Sequence, residues 1–446
     1  MPESASETQP AKATACVALA FPKLNGLKIL FSTFGSLGDI HPYLALALEA
    51  KARGHSPIIA TSAHYGEKIE ALGIEFRAVA PDLPPETEVA PLIKRVMNER
   101  DGPRFLFQEL LAPSIETQFA ELLLASEDAD VLITHPAAMA GPLVARHLKK
   151  KWLSSVLAPI SLWSRRDPGV PPTQPHLDRL RVLGPLWGEI LLQVGRRVTR
   201  SWVREVEQLV RKRGLEVAGH PLFEGQFSPL GTLALFSPHF CAPQHDWPKN
   251  TTATGFCFYD SSGHKAAVEP GEWRAWMESG SPPVVWTLGS SAVHDAGDFY
   301  WQGARECLEN GRRALLLAGE GARELSQSPG DGWQGEVLAL DYAPYSEVFP
   351  LASGVVHQGG AGTTAQALRA GVPQIIVPFA HDQSDNGARI QRLGVGTTVA
   401  RRRVSGQSVQ TLFAREPDFR RRARELGELI RGENGPVTAC ETLEQL

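Results

Sequence analysis

The sequence predicts an α/β protein made of two similar parallel-sheet domains that face each other across a cleft. Short apolar runs of strand length alternate with helical patterns in both halves of the chain. In each half a glycine-rich turn follows a strand and leads straight into a helix, the grammar of a βαβ unit. The length of 446 residues suits two large domains, since domains run to roughly 100–200 residues.

The first such unit opens at Leu27–Thr33, a run with β-branched and aromatic members. Phe34-Gly-Ser-Leu-Gly-Asp39 follows, and then a helical pattern from Pro42 to Arg53 with Leu44, Leu46, Ala47 and Leu48 on its buried side. Pro42 suits a first helical turn and Gly54 the position just past the end. Pro57–Thr61 and Val131–Thr134 read as further strands, with a helix over Gly141–Lys149. From Ala158 to Pro185 the chain is rich in Pro, with Trp163, Trp187 and several Arg nearby, an irregular stretch of the kind that carries function. Helical patterns resume over Leu186–Arg213. Composition loosens again between Pro221 and Pro238, where a domain boundary is expected.

In the second half, strands are expected at Pro283–Leu288, Ala314–Ala318, Val337–Leu340, Gly354–His357 and Gln374–Pro378. All are apolar on both sides, as in a sheet covered on both faces. A helix is expected over Phe299–Glu309, with Gly371 and Gly394 ending others. The alternating Arg and Glu of Pro417–Leu446 suit a solvated helix pair. The expected division is a loose tail (1–26), a first domain (27–228), a second domain (229–415) and terminal helices (416–446) that pack back on the first domain.

Composition removes several classes of function. Hydrophobic residues at 43% and charged residues at 21% exclude global disorder. Lys plus Arg (45) against Asp plus Glu (49) leaves a net charge of −4, without the basic excess of a nucleic-acid binder. Cys16, Cys241, Cys257, Cys307 and Cys440 stand far apart, which argues against a zinc ribbon, a disulfide scaffold or a dithiol redox site. No apolar run reaches the ~18 residues that span a bilayer. The N-terminal stretch lacks the basic start and long apolar core of a signal peptide. A cytoplasmic monomer, with peripheral membrane contact at most, is the expectation.

The chemistry concentrates at Val355-Val-His357-Gln-Gly359-Gly360-Ala-Gly362-Thr363-Thr364. A buried strand delivers a histidine and three glycines, and a helix begins at once. Such a helix start offers unpaired N–H groups to an anion, and glycines let a ligand approach the backbone. The pattern is a diphosphate cradle, and it matches neither the Walker nor the dinucleotide fingerprint. Downstream, Asp382-Gln383 stand side by side after a strand, where a carboxylate and an amide suit the vicinal hydroxyls of a sugar. Each feature also has a plainer reading, as a capped Gly-rich turn and as an N-capping cluster for a helix near Ser384.

His357 to Gly396, together with Gly371-Val-Pro373, Asp246-Trp247-Pro248, Thr254-Gly255-Phe256 and Gly35–Leu48, resembles the GT-B glycosyltransferases that use nucleotide-activated sugars. The sterol glucosyltransferases and those of glycopeptide-antibiotic synthesis are the most similar groups. The resemblance implies two Rossmann-like, doubly wound domains. It implies that His357, Gly359, Gly360, Gly362 and Thr363 hold the diphosphate, that Asp382 and Gln383 hold the hexose, and that Gly38 and Ser290 reach the donor. Tyr342 stands where plant relatives place a tryptophan that stacks on uracil. The ribose-binding carboxylate of plant relatives has no counterpart, since Ala365 and Gln366 occupy its place.

In Gly38-Asp39-Ile40-His41-Pro42, plant relatives place a histidine base where Asp39 stands. A carboxylate at a helix start could accept the acceptor's proton and steady positive charge on the sugar carbon. Asp39 could equally N-cap the helix at Pro42, and His41 is the alternative base. His135, after its strand, meets the same cleft edge as a possible helper. Asp128-Ala129-Asp130 matches a D-x-D metal signature but precedes a strand, so a solvated loop and no metal are expected. The expected activity is inverting hexosyl transfer, glucose foremost, from a UDP-sugar to a lipophilic or phenolic acceptor hydroxyl, with no cofactor. A silent nucleotide-sugar-binding partner protein and an epimerase on the same fold are the alternatives.

Overall fold

The computed structural model describes residues 26–82, 86–260, 270–327, 333, 335–403 and 415–446. The expected tail, apart from Gly26, lies outside these residues. Seven parallel strands form the first sheet: β1 (Lys28–Ser32), β2 (Ser56–Thr61), β3 (Glu75–Ala78), β4 (Val131–Thr134), β5 (Lys151–Val156), β6 (Thr232–Ala234) and β7 (Thr251–Ala253). Six form the second: β8 (Val284–Thr287), β9 (Ala314–Leu317), β10 (Val337–Leu340), β11 (Gly354–His357), β12 (Gln374–Ile376) and β13 (Gly396–Thr398). The spatial orders are 3-2-1-4-5-6-7 and 10-9-8-11-12-13, so each half reverses direction beside its first strand. Ligands in such sheets bind beyond the carboxyl ends at that reversal.

Alternation along each strand feeds two cores per sheet. Leu30 and Leu132 pack on one face of the first sheet, and Ile29, Phe31 and Ile133 on the other. In the second sheet Trp286 and Val356 face one way, Val285 and Val355 the other. A further cluster joins the domains: Phe236, Phe240, Trp247 and Phe256 pack with Leu368, Ile376, Ile390 and Ile430.

Two expectations are corrected. Strands β6 and β7 pair in parallel with β5, so the boundary expected at 228/229 falls inside the first sheet and the chain crosses only after Ala253. The first helix begins at Leu37, well before Pro42. Ser36 caps it, accepting from the Gly38 N–H, while Asp39 three residues on accepts from the Ser36 N–H; this reciprocal box sets the start.

The chain returns to the first domain at its end. After the 416–431 helix, which packs on the 361–370 helix, the 435–444 helix packs on the 37–52 helix, placing Ala439, Cys440 and Leu443 in the first-domain core. Glu444 receives hydrogen bonds from Arg53 (3.1 Å) and bonds His55 (3.0 Å). The outgoing and returning crossings touch: a Cβ on Gly435 would lie 2.5 Å from the Phe256 carbonyl oxygen.

Candidate functional site

The carboxyl ends of the two sheets face one cleft of about 2200 Å³. A pocket for one small ligand is roughly 300–1,000 Å³, so this cleft has room for two. Gly38, Asp39, His41 and His135 line it from the first domain, and Ser290, Tyr342, Gly360, Gly362, Thr363, Asp382 and Gln383 from the second. His357 and Gly359 do not.

Asp39 and His135 follow β1 and β4, the strands flanking the first reversal. Asp39 Oδ2 accepts from the Ser36 N–H at 2.8 Å and the Ser36 hydroxyl at 3.2 Å, bonds that leave Oδ1 to the cleft. Desolvation pushes the Asp39 carboxyl up to about 6, against the pull of those bonds. His41 is engaged by a residue no motif announces: Lys68 Nζ donates to its Nε2 at 3.1 Å, occupying the nitrogen a base would use. His135 is buried, its Nδ1 accepts from the Ala137 N–H at 3.4 Å, and desolvation lowers its pKa to about 3, so it is neutral across the working range.

In the second domain His357 departs from its expected place. It shares the strand face of Val355, turned into the domain, and is fully buried. Its Nε2 bonds Gln374 Oε1 at 2.9 Å and its Nδ1 accepts from the Gly359 N–H at 3.1 Å, so both nitrogens brace the turn. Burial lowers its pKa to about 4. Gly359 has φ +91°, and a Cβ there would lie 2.5 Å from Ile376 Cγ2, so packing and backbone conformation demand this glycine.

Gly362 is different: a Cβ would meet nothing within 4 Å and would project into the cleft. No side chain caps the 361–370 helix, so its first N–H groups remain open to an anion. Gly362→Val is expected to raise the donor KM at least about tenfold, about 1.4 kcal/mol, with the melting midpoint nearly unchanged. Steady-state kinetics beside a thermal melt check this; an equal donor KM would move the diphosphate away from this helix start.

Asp382 carries a carboxyl pushed up to about 7, by desolvation first, with Asp39 across the cleft and Asp385 adding to it. Asn386 Nδ2 donates to Asp382 Oδ2 at 2.7 Å and to the Gly359 carbonyl at 2.8 Å, locking the two sequence motifs together. Nothing in the local sequence marks Asn386, because its bond to Gly359 spans 27 residues. Gln383 Oε1 accepts from the Phe379 and Ala380 N–H groups at 2.7 and 3.0 Å, which leaves its amide N–H₂ as the group a sugar could meet. Ser290 is exposed in the cleft after β8, and Tyr342 lies half-buried on its wall. Beside Gln366, where the sequence lacks a carboxylate, Asp260 comes in from the crossing segment, held by Arg369 at 2.9 Å and by Gln366 at 3.1 Å.

Asp128 and Asp130 sit at the amino end of β4, remote from the cleft. Asp128 pairs with Arg77 and Lys28, and Asp130 accepts from the Lys28 N–H. Among the described residues no group of three or more potential ligands is arranged for a metal. No helix among them is long and apolar enough to cross a membrane.

Residues 325–446 match the erythromycin biosynthesis protein CIII-like C-terminal domain. The chain is 31% identical to O-mycaminosyltylonolide 6-deoxyallosyltransferase of Streptomyces fradiae, over 94% of this chain and 97% of that protein. It is 28% identical to a sterol 3-beta-glucosyltransferase of Arabidopsis thaliana, over 96% of this chain and 69% of that protein. Spinosyn rhamnosyltransferase in complex with thymidine diphosphate superposes with a TM-score of 0.65 at 18% identity, covering 94% of this chain and all (100%) of that one.

Proposed function

Because this chain belongs to the GT-B glycosyltransferases that act on small-molecule acceptors, we propose that it is an inverting hexosyltransferase that uses a pyrimidine nucleoside diphosphate sugar. The observation that carries the reading is the meeting of Asp39 and Asp382 at one cleft, Asp39 after β1 at the reversal of the first sheet and Asp382 after β12, the strand next to β11 at the reversal of the second. The donor lies on the second domain, its diphosphate at the start of the 361–370 helix and its hexose against Asp382 and the Gln383 amide. Asp39 Oδ1 takes the proton of an acceptor hydroxyl as that oxygen attacks the anomeric carbon from the face opposite the diphosphate. One in-line displacement inverts the centre, and the helix start stabilises the leaving group electrostatically.

Asp39 is favoured over His41 because Lys68 occupies His41 Nε2. A base pKa near 6 also lies closer to neutral working pH than that of an ordinary aspartate. His357 acts in this scheme as the brace of the glycine turn, a different part from the phosphate contact that the resemblance implies. The acceptor is lipophilic, since Trp163, Phe223, Leu106 and Phe107 wall the first-domain half of the cleft. UDP-glucose is the first donor to test. A thymidine-linked deoxyhexose is the second reading, favoured by the deoxyallosyl- and rhamnosyltransferase relatives and by Tyr342 in place of tryptophan.

Thermal unfolding with UDP, TDP, GDP and ADP at matched concentrations tests the donor site. A nucleotide at ~100 times its Kd adds about 2.7 kcal/mol. A selective rise with UDP or TDP is expected; equal behaviour of all four would overturn the pyrimidine assignment. Ser36→Ala tests the base. It removes the hydroxyl bond to Asp39 and the cap at Gly38, costing about 1 kcal/mol of stability. With its anion less stabilised, Asp39 titrates above its present value of about 6. The acidic limb of the kcat/KM profile should therefore move to higher pH, and an unmoved limb would point to another base.

A further inference from the structure

We infer that the exposed face of the 182–198 segment docks on an anionic lipid bilayer. Val182, Leu183, Leu186, Ile190, Val194 and Val198 are all exposed, Val182 to 87% and Leu186 to 64%. From Leu183 onward they recur every three or four residues, which gathers them on one side of the 185–199 helix while Gly188 and Leu192 pack inward. Helical geometry sets Arg197 within the same stripe, one turn past Val194. Arg179, Arg200 and Arg204 flank it.

The charges select the partner. Arg179, Arg197, Arg200 and Arg204 pair with no acid among the described residues. Of the acids nearest the stripe, Asp178 is taken by Arg181 and Arg392 and Glu189 by Arg165, while Glu205 and Glu207 stand on the following helix beside Arg204. An exposed apolar stripe edged by free guanidinium groups, on a chain of net charge −4, is the pattern of a helix lying in a headgroup layer.

The stripe also continues into the cleft. Val194 and Val198 line it together with Leu191 and Trp202, so an apolar surface runs unbroken from the exposed helix to the acceptor half. A bilayer-dissolved acceptor could pass along it; that consequence rests on the reading above, whereas the docking does not.

Sedimentation of the full chain with phosphatidylcholine vesicles, with and without about 30% phosphatidylserine, tests the docking. At low salt, binding to the anionic vesicles is expected to be at least about tenfold tighter, and to weaken as salt shortens the screening length. Leu186→Glu with Ile190→Glu should abolish pelleting while the melting midpoint and turnover of a water-soluble acceptor stay unchanged, since neither side chain lines the cleft. Arg197→Gln with Arg200→Gln should erase the preference for anionic vesicles. Wild-type protein that stays in the supernatant would overturn the proposal, as would pelleting that survives the Glu pair. A concentration-dependent dimer without lipid, abolished by the same pair, would assign the face to a second copy and overturn it too.

Discussion

Asp39→Asn is expected to lower kcat by about 10²–10⁴-fold, the usual loss of a positioned base. The substitution is nearly isosteric, and the amide oxygen can still accept from the Ser36 N–H, so the helix start survives. Donor contacts belong to the second domain, so the UDP- or TDP-induced thermal shift should persist. In the wild type the rate rises with pH as Asp39 ionises near 6, and in the variant that limb disappears. Stability moves the opposite way. Asp39 and Asp382 have folded-state pKa values of about 6 and about 7, above those of an unfolded aspartate. The folded state therefore holds extra protons from about pH 4 to 7, and stability falls as pH rises through that window. Removing the buried charge should raise the melting midpoint of Asp39→Asn at pH 8. Retained turnover would eliminate Asp39 as the base.

Arg389→Met should produce the largest loss of stability. Arg389 is almost wholly buried on the 383–393 helix. Its Nε donates to Asp385 Oδ2 at 2.8 Å and its Nη1 to Asp167 Oδ2 at 2.5 Å, while the Val170 N–H donates to Asp385 Oδ1 at 3.1 Å. Asp385 has no exposed surface, so losing the guanidinium strands a buried carboxylate. Breaking one side of such a pair costs about 3–5 kcal/mol, which lowers the midpoint by on the order of 10 °C. The same bonds tie the 164–170 stretch of the first domain to the helix bearing Gln383, so the acceptor KM should rise as well. Adding Asp385→Asn to Arg389→Met should recover much of the loss. A single variant melting within about 2 °C of the wild type would show that water replaces the guanidinium.

The strands with continuous apolar runs were legible from sequence almost to the residue: Val131–Thr134, Val337–Leu340 and Gly354–His357. So were the helix ends at Gly371 and Gly394, where positive φ favours glycine. Strand β5 escaped because Ser154 and Ser155 interrupt its apolar pattern. Their hydroxyls are satisfied only in three dimensions, Ser155 by Tyr43 at 2.6 Å and the Thr134 carbonyl at 3.0 Å. Strands β7 and β13 have three residues each and are threonine-rich, without the apolar run that made the equally short β12 legible. The first helix was misplaced because Pro42 imitates a first-turn residue while the capping pair stands further back.

At the site, the glycine turn, Asp39 and Asp382-Gln383 were visible because each follows directly on a legible strand. The inward turn of His357 was not, since a strand buried on both faces carries no sign of which way its last side chain points. Lys68, Asp260 and Arg389 reach their partners over long sequence separations, so no local pattern marks them.

The two passages of backbone between the domains lie against each other, Gly255-Phe256 beside Gly435. The Phe236–Phe256 cluster and the bonds of Asp167 and Val170 to Arg389 and Asp385 join the domains around the same crossing. The last helix fastens the 37–52 helix to the return passage through Glu444, with Arg53 and His55 as its clasps. Asp39, at the head of that helix, is therefore anchored through it to the return passage. The backbone at 255–256 and 435 then helps to fix where the base stands, while the cleft walls are free to vary with the acceptor.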